Sequence, residues 1–395
     1  VSTSQPAPHP LTVGEGPMAL ERALAQPDPD SLTAASALRR LVAPELAALA
    51  LEQASLRRRA RSKFGDRAAD MLFTATGLEQ ATRPEVSAWR ADTFAEGCSR
   101  VLDLGCGLGF DALAMGRAGL GVDAVELDPL TASCAQHNLA SVKGRVLVGD
   151  AASAVPAVMD GGVLVFVDPA RRSSTGRSWR LEDLSPGWDF VLSLRQRCDR
   201  LVVKLGPGIS RSLLPDDLGR HWVSHEGTLV EVCLATDVGE GPAVDRVVVL
   251  RGGRRYELVG RGLGRLPVED VGEYLHEPDP AVIRSQLYAE ACSGTNAWLV
   301  DHDVAYLSSD GPLDTPLVTS FRVLESIPWS VRTLRAWCRE HRIGTLEIKK
   351  RGLDVDPAEL RRQLKLKGSA SATVVLTPTP RGTRALVCER VPRSP

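Results

Sequence analysis

The chain has 395 residues, too many for one ordinary domain and suited to two or three. Apolar residues make up 43%, enough for sizeable cores, and no run of about 18 apolar residues marks a membrane span. The formal charge of −1 ordinarily argues against a polyanionic partner, and eight Cys without a CxxC pair argue against a disulfide scaffold or zinc ribbon.

The start, VSTSQPAPHP, lacks the basic and apolar stretches of a secretory signal, and the scattered cysteines fit a reducing cytoplasm. The near-zero charge hides an uneven distribution. From Trp329 to Pro395, fifteen basic residues face six acidic ones, a local +9. Arg39 to Arg67 holds eight against three, or +5, which leaves −15 for the remainder. Two basic ends on a neutral protein can hold an anionic polymer.

Residues 1–17 are rich in Pro, Ser and Gly and predict a disordered tail. Residues 18–97 predict a helical domain. Ser31 can cap one helix, and Pro44 fits the first turn of a long one, in which Leu46, Leu49, Ala50 and Leu56 recur at helical spacing. Arg57, Arg58, Arg59 and Arg61 fall near its end, where cations suit the dipole. A segment MLFTATGLEQATRPEV and a helix around Val86–Phe94 follow.

Residues 98–260 alternate strands with helices: RVLDLG, GVDAVELD, RVLVGD, VLVFVDP, RLVVKLG, LVEVCLAT and DRVVVLR are the strands. Such alternation predicts an α/β fold with a mostly parallel sheet covered on both faces and ligands at the strands' carboxyl ends. Residues 261–318 read as a loop-like, Pro-rich connection that turns helical. Residues 319–395 read as βαβαββ, a small α+β module.

The first strand of the alternating region runs into Gly105, Gly107 and Gly109, spaced for a tight turn and close approach to a ligand. Asp103 precedes them and could fix the loop or bind an ammonium group. Glu126 ends the second strand, where a carboxylate can take both ribose hydroxyls. Asp150 ends the third and could accept from an adenine amino group. Asp128 reads equally as a ribose contact or a helix cap. Asp111 at the helix start would repel a pyrophosphate. A ligand with a ribose, an adenine and an amino acid fits better, which points to S-adenosylmethionine.

On these motifs the stretch Val101–Leu250 resembles the class I SAM-dependent methyltransferases. The resemblance implies a Rossmann-like seven-stranded sheet, with Gly105, Gly107 and Gly109 along the methionine part, Glu126 on the ribose and Asp150 on the adenine. The fourth strand ends Asp168-Pro169-Ala170-Arg171-Arg172. This is similar to the D/N-P-P-aromatic signature of methyltransferases acting on amino groups, but Ala170 and Arg171 replace the second Pro and the ring. An Arg plane can stack on a base or pair with a phosphate, so Arg171 and Arg172 are candidate substrate contacts. DPAR also resembles the strand end of RNA uracil-C5 methyltransferases. Those need a Cys on the next strand, where this chain has Leu205; Cys198 precedes that strand and reads as core. Direct transfer remains, with Asp168 to orient or accept the proton and Lys204 to bind a phosphate, shift a pKa or snorkel to the sheet rim.

DPARR, KLGPG and TLEIKKRG…ELRRQLKLKG resemble bacterial class I methyltransferases that carry a C-terminal THUMP-like domain. This resemblance spans roughly residues 35–393. It implies an RNA partner, because THUMP domains generally accompany RNA-modifying enzymes. Lys349, Lys350, Arg351, Arg361, Arg362, Lys365 and Lys367 would then meet phosphates. The segment before the glycine strand is similar in position to one in cap-guanine methyltransferases, which implies Phe73, Thr74 and Gln80 near the cofactor, while Thr74 reads equally as a helix-start cap. His221 and His225 have a helical ligand spacing, but their segment reads as strand and no third ligand is evident, so no metal is expected. The expectation is a cytoplasmic SAM-dependent methyltransferase acting on tRNA or rRNA. A small molecule or protein substrate is the alternative.

Overall fold

The structure is a computed structural model that describes residues 3–155, 161–171, 181–236 and 243–392. It divides into two compact units, residues 1–220 with 231–243, and residues 221–230 with 244–395.

In the first unit, helices α1 (Gly16–Leu24), α2 (Leu32–Leu38) and α3 (Pro44–Phe64) pack on one another. Leu38, Ala47, Ala50 and Ala54 lie in their shared core. Ser31 caps α2 by accepting from Ala34 N at 3.2 Å, and Gly65, at φ +60°, ends α3. The expected tail is ordered from Thr3. Residues 10–12 form a 3-10 turn, and Leu11 is 2% exposed within the α1–α3 core. Composition signals disorder only when a segment has no apolar surface to dock, and Leu11 supplies it.

An extended stretch, Met71–Phe73, follows. Its backbone is satisfied by buried side chains of distant helices. Gln53 bonds both the N–H and the carbonyl of Phe73, and Asn138 bonds those of Leu72. Arg57 Nε donates to Met71 O at 2.9 Å. Helices α4 (Ala75–Gln80) and α5 (Pro84–Phe94) lead into the sheet.

That sheet contains β1 (Arg100–Leu104), β2 (Gly121–Glu126), β3 (Arg145–Val148) and β4 (Val163–Val167), joined through α6 (Phe110–Arg117) and α7 (Pro129–Asn138). The order is β3-β2-β1-β4, then the strand Arg200–Leu205, all parallel. Residues 232–235 pair antiparallel with Arg200–Leu205. Near-continuous Val and Leu along β4 suit a strand covered on both faces.

The second unit carries a seven-stranded sheet in the order 298–299, 307–309, 274–278, 318–328, 384–390, 370–377, 343–350. The βαβαββ reading of residues 319–395 holds element for element, with helices Val331–Glu340 and Pro357–Leu364. The expected boundaries shift. The connecting region, residues 261–318, adds three strands to this sheet. The hairpin Asp245–Arg251 and Arg254–Val259, expected with the cofactor domain, falls in the second unit, where helix Pro280–Ser285 packs on it. Short strands such as Trp298–Leu299 carry too little periodicity to be read from sequence.

Candidate active site

The candidate residues of the first unit converge at the carboxyl ends of its parallel strands. All three loop glycines take left-handed φ, +83° at Gly105, +54° at Gly107 and +79° at Gly109. At Gly109 an added Cβ would also crowd Leu139 of the α7 end at 3.2 Å. The turn is pinned by Gly105 N and Cys106 N donating to Val125 O, at 2.9 and 3.0 Å. Burial pushes the Cys106 thiol pKa well up, which disfavours the reactive thiolate.

Glu126 accepts from Gly107 N through Oε2 and from Asp128 N through Oε1, both at 2.9 Å. Each oxygen retains acceptor capacity for a ligand hydroxyl. Asp128 caps α7, accepting from the N–H and hydroxyl of Thr131 at 2.7 Å each, so the cap is the reading observed. Between them Leu127 is 65% exposed, an apolar side chain left beside the carboxylate that the sequence reading passed over. Asp150 is exposed and caps the short helix Ala151–Ala154 through Ala152 N and Ser153 N.

Asp103 is 1% exposed, and neither of its carboxyl oxygens has a hydrogen-bond partner. Burial pushes its pKa well above the usual range. Asp111 and Asp168 add to the rise, while Lys204 and Arg90 oppose it. A buried acid with no donor is costly unless a ligand supplies one.

Beside it runs a connected chain of charge. Lys204 Nζ donates to Asp168 Oδ2 at 2.5 Å and to Thr82 Oγ1 at 3.0 Å. Thr82 in turn donates to Asp111 Oδ2 at 2.7 Å. Asp111 and Glu231 both bind the guanidinium of Arg90, which is wholly buried. Burial opposes the charge on Arg90, but Asp111 and Glu231 outweigh it and hold it cationic. Burial likewise works against the Lys204 ammonium, and Asp168, Asp111 and Glu231 overcome it. Burial raises the pKa of Asp168, and Lys204 counters it. Four carboxyls thus share the site with two cations, Arg90 and Lys204. Acidic groups outnumber basic ones there, which favours a cationic ligand.

Thr82, Arg90 and Glu231 were not singled out in the sequence. Arg90 had a signal: it sits four residues after Val86 on the buried face of α5, where a core residue belongs.

Other expected residues lie elsewhere. Phe73 is buried against Phe64 and Phe110, Thr74 caps α4 through Gly77 N, and Gln80 is exposed. Arg172 and the side chain of Arg171 lie outside the described residues. Cys198 is half-buried on Leu194 O, with its thiol pushed up by burial to about 11. His221 sits in the strand Gly219–His225, where residues four apart stand about 13 Å apart. Among the described residues no cluster of three metal-ligating side chains occurs. No described helix is long and apolar enough to cross a membrane.

In the second unit, Lys349 and Arg351 turn to Glu277, at 2.9 and 3.7 Å. Lys349 also lies over the Phe321 ring, and Arg351 donates to Ala305 O and lies over Tyr306. These two are internal ties. Lys350 is exposed near Leu353 O, while Arg332, Arg335, Arg339, Arg342, Arg361, Arg362, Lys365 and Lys367 are exposed.

The left-handed glycine turn, the clamped ribose-type carboxylate and the orphaned buried acid fit a ligand with two hydroxyls and an ammonium group, as S-adenosylmethionine has. Comparison with known proteins agrees. Residues 318–390 match the THUMP domain-like family model, and residues 7–60 match a domain of unknown function, DUF8688. Over 342 residues the chain is 32% identical to an uncharacterized S-adenosylmethionine-dependent methyltransferase of Mycobacterium tuberculosis, in each of two strains, covering 83% of this chain and 91% of the relative. A crystal structure of a Porphyromonas gingivalis protein assigned as a methyltransferase superposes with a TM-score of 0.74 at 18% identity, over 96% of this chain and 99% of that one. The chain belongs to the S-adenosylmethionine-dependent methyltransferases and carries a C-terminal THUMP-like domain.

Proposed function

We propose that the protein methylates an amino group of a nucleotide in structured RNA, tRNA or rRNA. The observation that carries this reading is the joint occurrence of the Asp168–Lys204 strand end and a THUMP-like module with an exposed basic surface. That surface differs from the one first expected. Helix Val331–Glu340 buries Leu334, Trp337 and Cys338, and sets Arg332, Arg335 and Arg339 on its open face, with Arg342 just beyond. Lys365 and Lys367 follow the neighbouring helix. Guanidinium and ammonium groups so placed suit phosphates of a folded backbone. Trp337 is buried and donates to Glu325, which removes it as a base-stacking platform.

In this reading Gly105, Gly107, Gly109, Glu126 and Asp103 hold S-adenosylmethionine, with Asp103 facing the amino group. The bound cofactor supplies an electrophilic methyl on its sulfonium. The carboxylate of Asp168 would accept an N–H from the target amine, orient its nitrogen, and take the proton released as the N–C bond forms and the methyl's bond to sulfur breaks, leaving S-adenosylhomocysteine. Lys204 opposes the burial that raises the pKa of Asp168, and Thr82 accepts from the Lys204 ammonium.

The test is nucleoside mass spectrometry on RNA from cells with and without the gene, followed by labelling of the deficient RNA by purified protein. A methylated nucleoside lost in the mutant and restored in vitro is expected. Failure to label that RNA, together with labelling of a small molecule or protein, overturns the RNA assignment.

A further inference from the structure

The residues before the helical domain make one contact that sheet architecture does not require. β3 is the edge strand of its sheet. Ser4 forms an isolated antiparallel bridge to Val148, its N–H donating to Val148 O at 3.2 Å and its carbonyl accepting from Val148 N at 2.7 Å. A cover for the edge would run along the strand. Among the described residues this segment pairs only at Val148, the last residue of β3, at the end where ligands of parallel sheets bind. Thr3 then lies against Gly149, where an added Cβ would come within 2.9 Å of Thr3 Cγ2. Asp150 is the next residue.

The far end is anchored separately. His9 is 2% exposed and its Nδ1 accepts from Leu11 N at 3.2 Å, while Leu11 is held in the α1–α3 core. Between the anchors, Pro6 and Pro8 restrict the chain, and Pro10 follows His9. Five residue steps from Ser4 to His9 reach at most about 18 Å, so the segment behaves as a short, stiff strap with both ends fixed.

We propose that residues 3–9 form an arm that walls the adenine side of the cofactor site and contributes to cofactor binding. The proposal rests on reading the end of β3, with Asp150, as the adenine side. A pre-fixed wall adds contact area at little further ordering cost on binding.

The test compares the full chain, a variant lacking residues 1–8, and Asp150→Ala, each titrated with S-adenosylhomocysteine and with 5′-methylthioadenosine. The second ligand keeps the adenosine and lacks the amino-acid end. Removing the arm should weaken both ligands by a similar factor, about tenfold, and Asp150→Ala should also weaken both. If Asp150→Ala weakens binding and the deletion does not, the arm is only an edge contact and the proposal falls alone. If Asp150→Ala leaves both affinities unchanged, the adenine placement fails and the proposal with it. Should the deletion variant not fold, Ser4→Pro removes the N–H donated to Val148 and decides the matter: unchanged affinity overturns the arm, and a loss for both ligands supports it.

Discussion

The register of β4 on the strand Arg200–Leu205 pairs Val167 with Val203, and so delivers Asp168 and Lys204 side by side, 2.5 Å apart, at the strand ends. Two residues 36 positions apart are brought together by backbone alone, and the ion pair follows from parallel pairing.

Asp168→Asn should lower the single-turnover methyl-transfer rate by about 10²-fold or more, with the affinity for S-adenosylhomocysteine little changed. Lys204→Met should shift the pH–rate profile. Removing the cation that opposes the rise at Asp168 raises its pKa further, so the rising limb moves to higher pH. A profile that stays in place would show that Lys204 does not act through Asp168.

Asp103 predicts proton release on cofactor binding. Its pKa is raised well up in the free protein, which favours the protonated form; a ligand ammonium beside it would favour the ionised form. Calorimetry in buffers of different ionisation enthalpy should find up to about one proton released on binding, with affinity rising as pH rises through the window where Asp103 is protonated in the free protein. Asp103→Asn should abolish the release and weaken binding. Equal apparent enthalpies in all buffers would count against this role.

Arg90→Met should be severely destabilising. It leaves Asp111 and Glu231 buried with no cation between them, a change of about 3–5 kcal/mol for a broken buried pair. Urea unfolding of Arg90→Met and Arg90→Lys measures this, with Lys expected to restore part of the loss.

On the second unit, Lys349→Ala should leave RNA affinity unchanged, because Lys349 is tied to Glu277, and should cost stability instead. Charge reversal at Arg332, Arg339 and Arg342 should weaken RNA binding and flatten its salt dependence, by roughly one unit of log–log slope for each phosphate no longer neutralised. Filter binding at several salt concentrations separates the two sets.

His276 predicts a loss of stability in acid. It is fully buried between Ser320 and Ser309 at 2.8 and 2.7 Å, and burial lowers its pKa from 6.5 to about 4. The unfolded chain then binds more protons between these values. Stability from the neutral ring is complete above about pH 6.5 and declines as pH falls toward 4, by at most about 1.4 kcal/mol per pH unit. His276→Gln should flatten this limb in denaturation midpoints measured against pH.

That the glycine turn, Glu126, Asp150 and Asp168 stand at strand ends was legible because each sits at a fixed offset from a strand that announces itself. Arg90 and Glu231 were not, since their meeting joins positions 141 apart and depends on how α5 packs. Thr82 lies in a stretch without periodicity, so nothing local sets it apart from Thr74, which proved to be a cap. Lys349 and Arg351 show the converse error. Their charge was visible, but the acid that neutralises them is 72 residues away from Lys349 on another strand.

Glu126 is held by backbone donors on both sides before any cofactor arrives, through Gly107 N and Asp128 N. If Glu126 takes the ribose as proposed, its carboxylate needs no rotamer search. Association should therefore be a single concentration-dependent step in stopped-flow traces, without a slow first-order phase for assembling the hydroxyl-binding end.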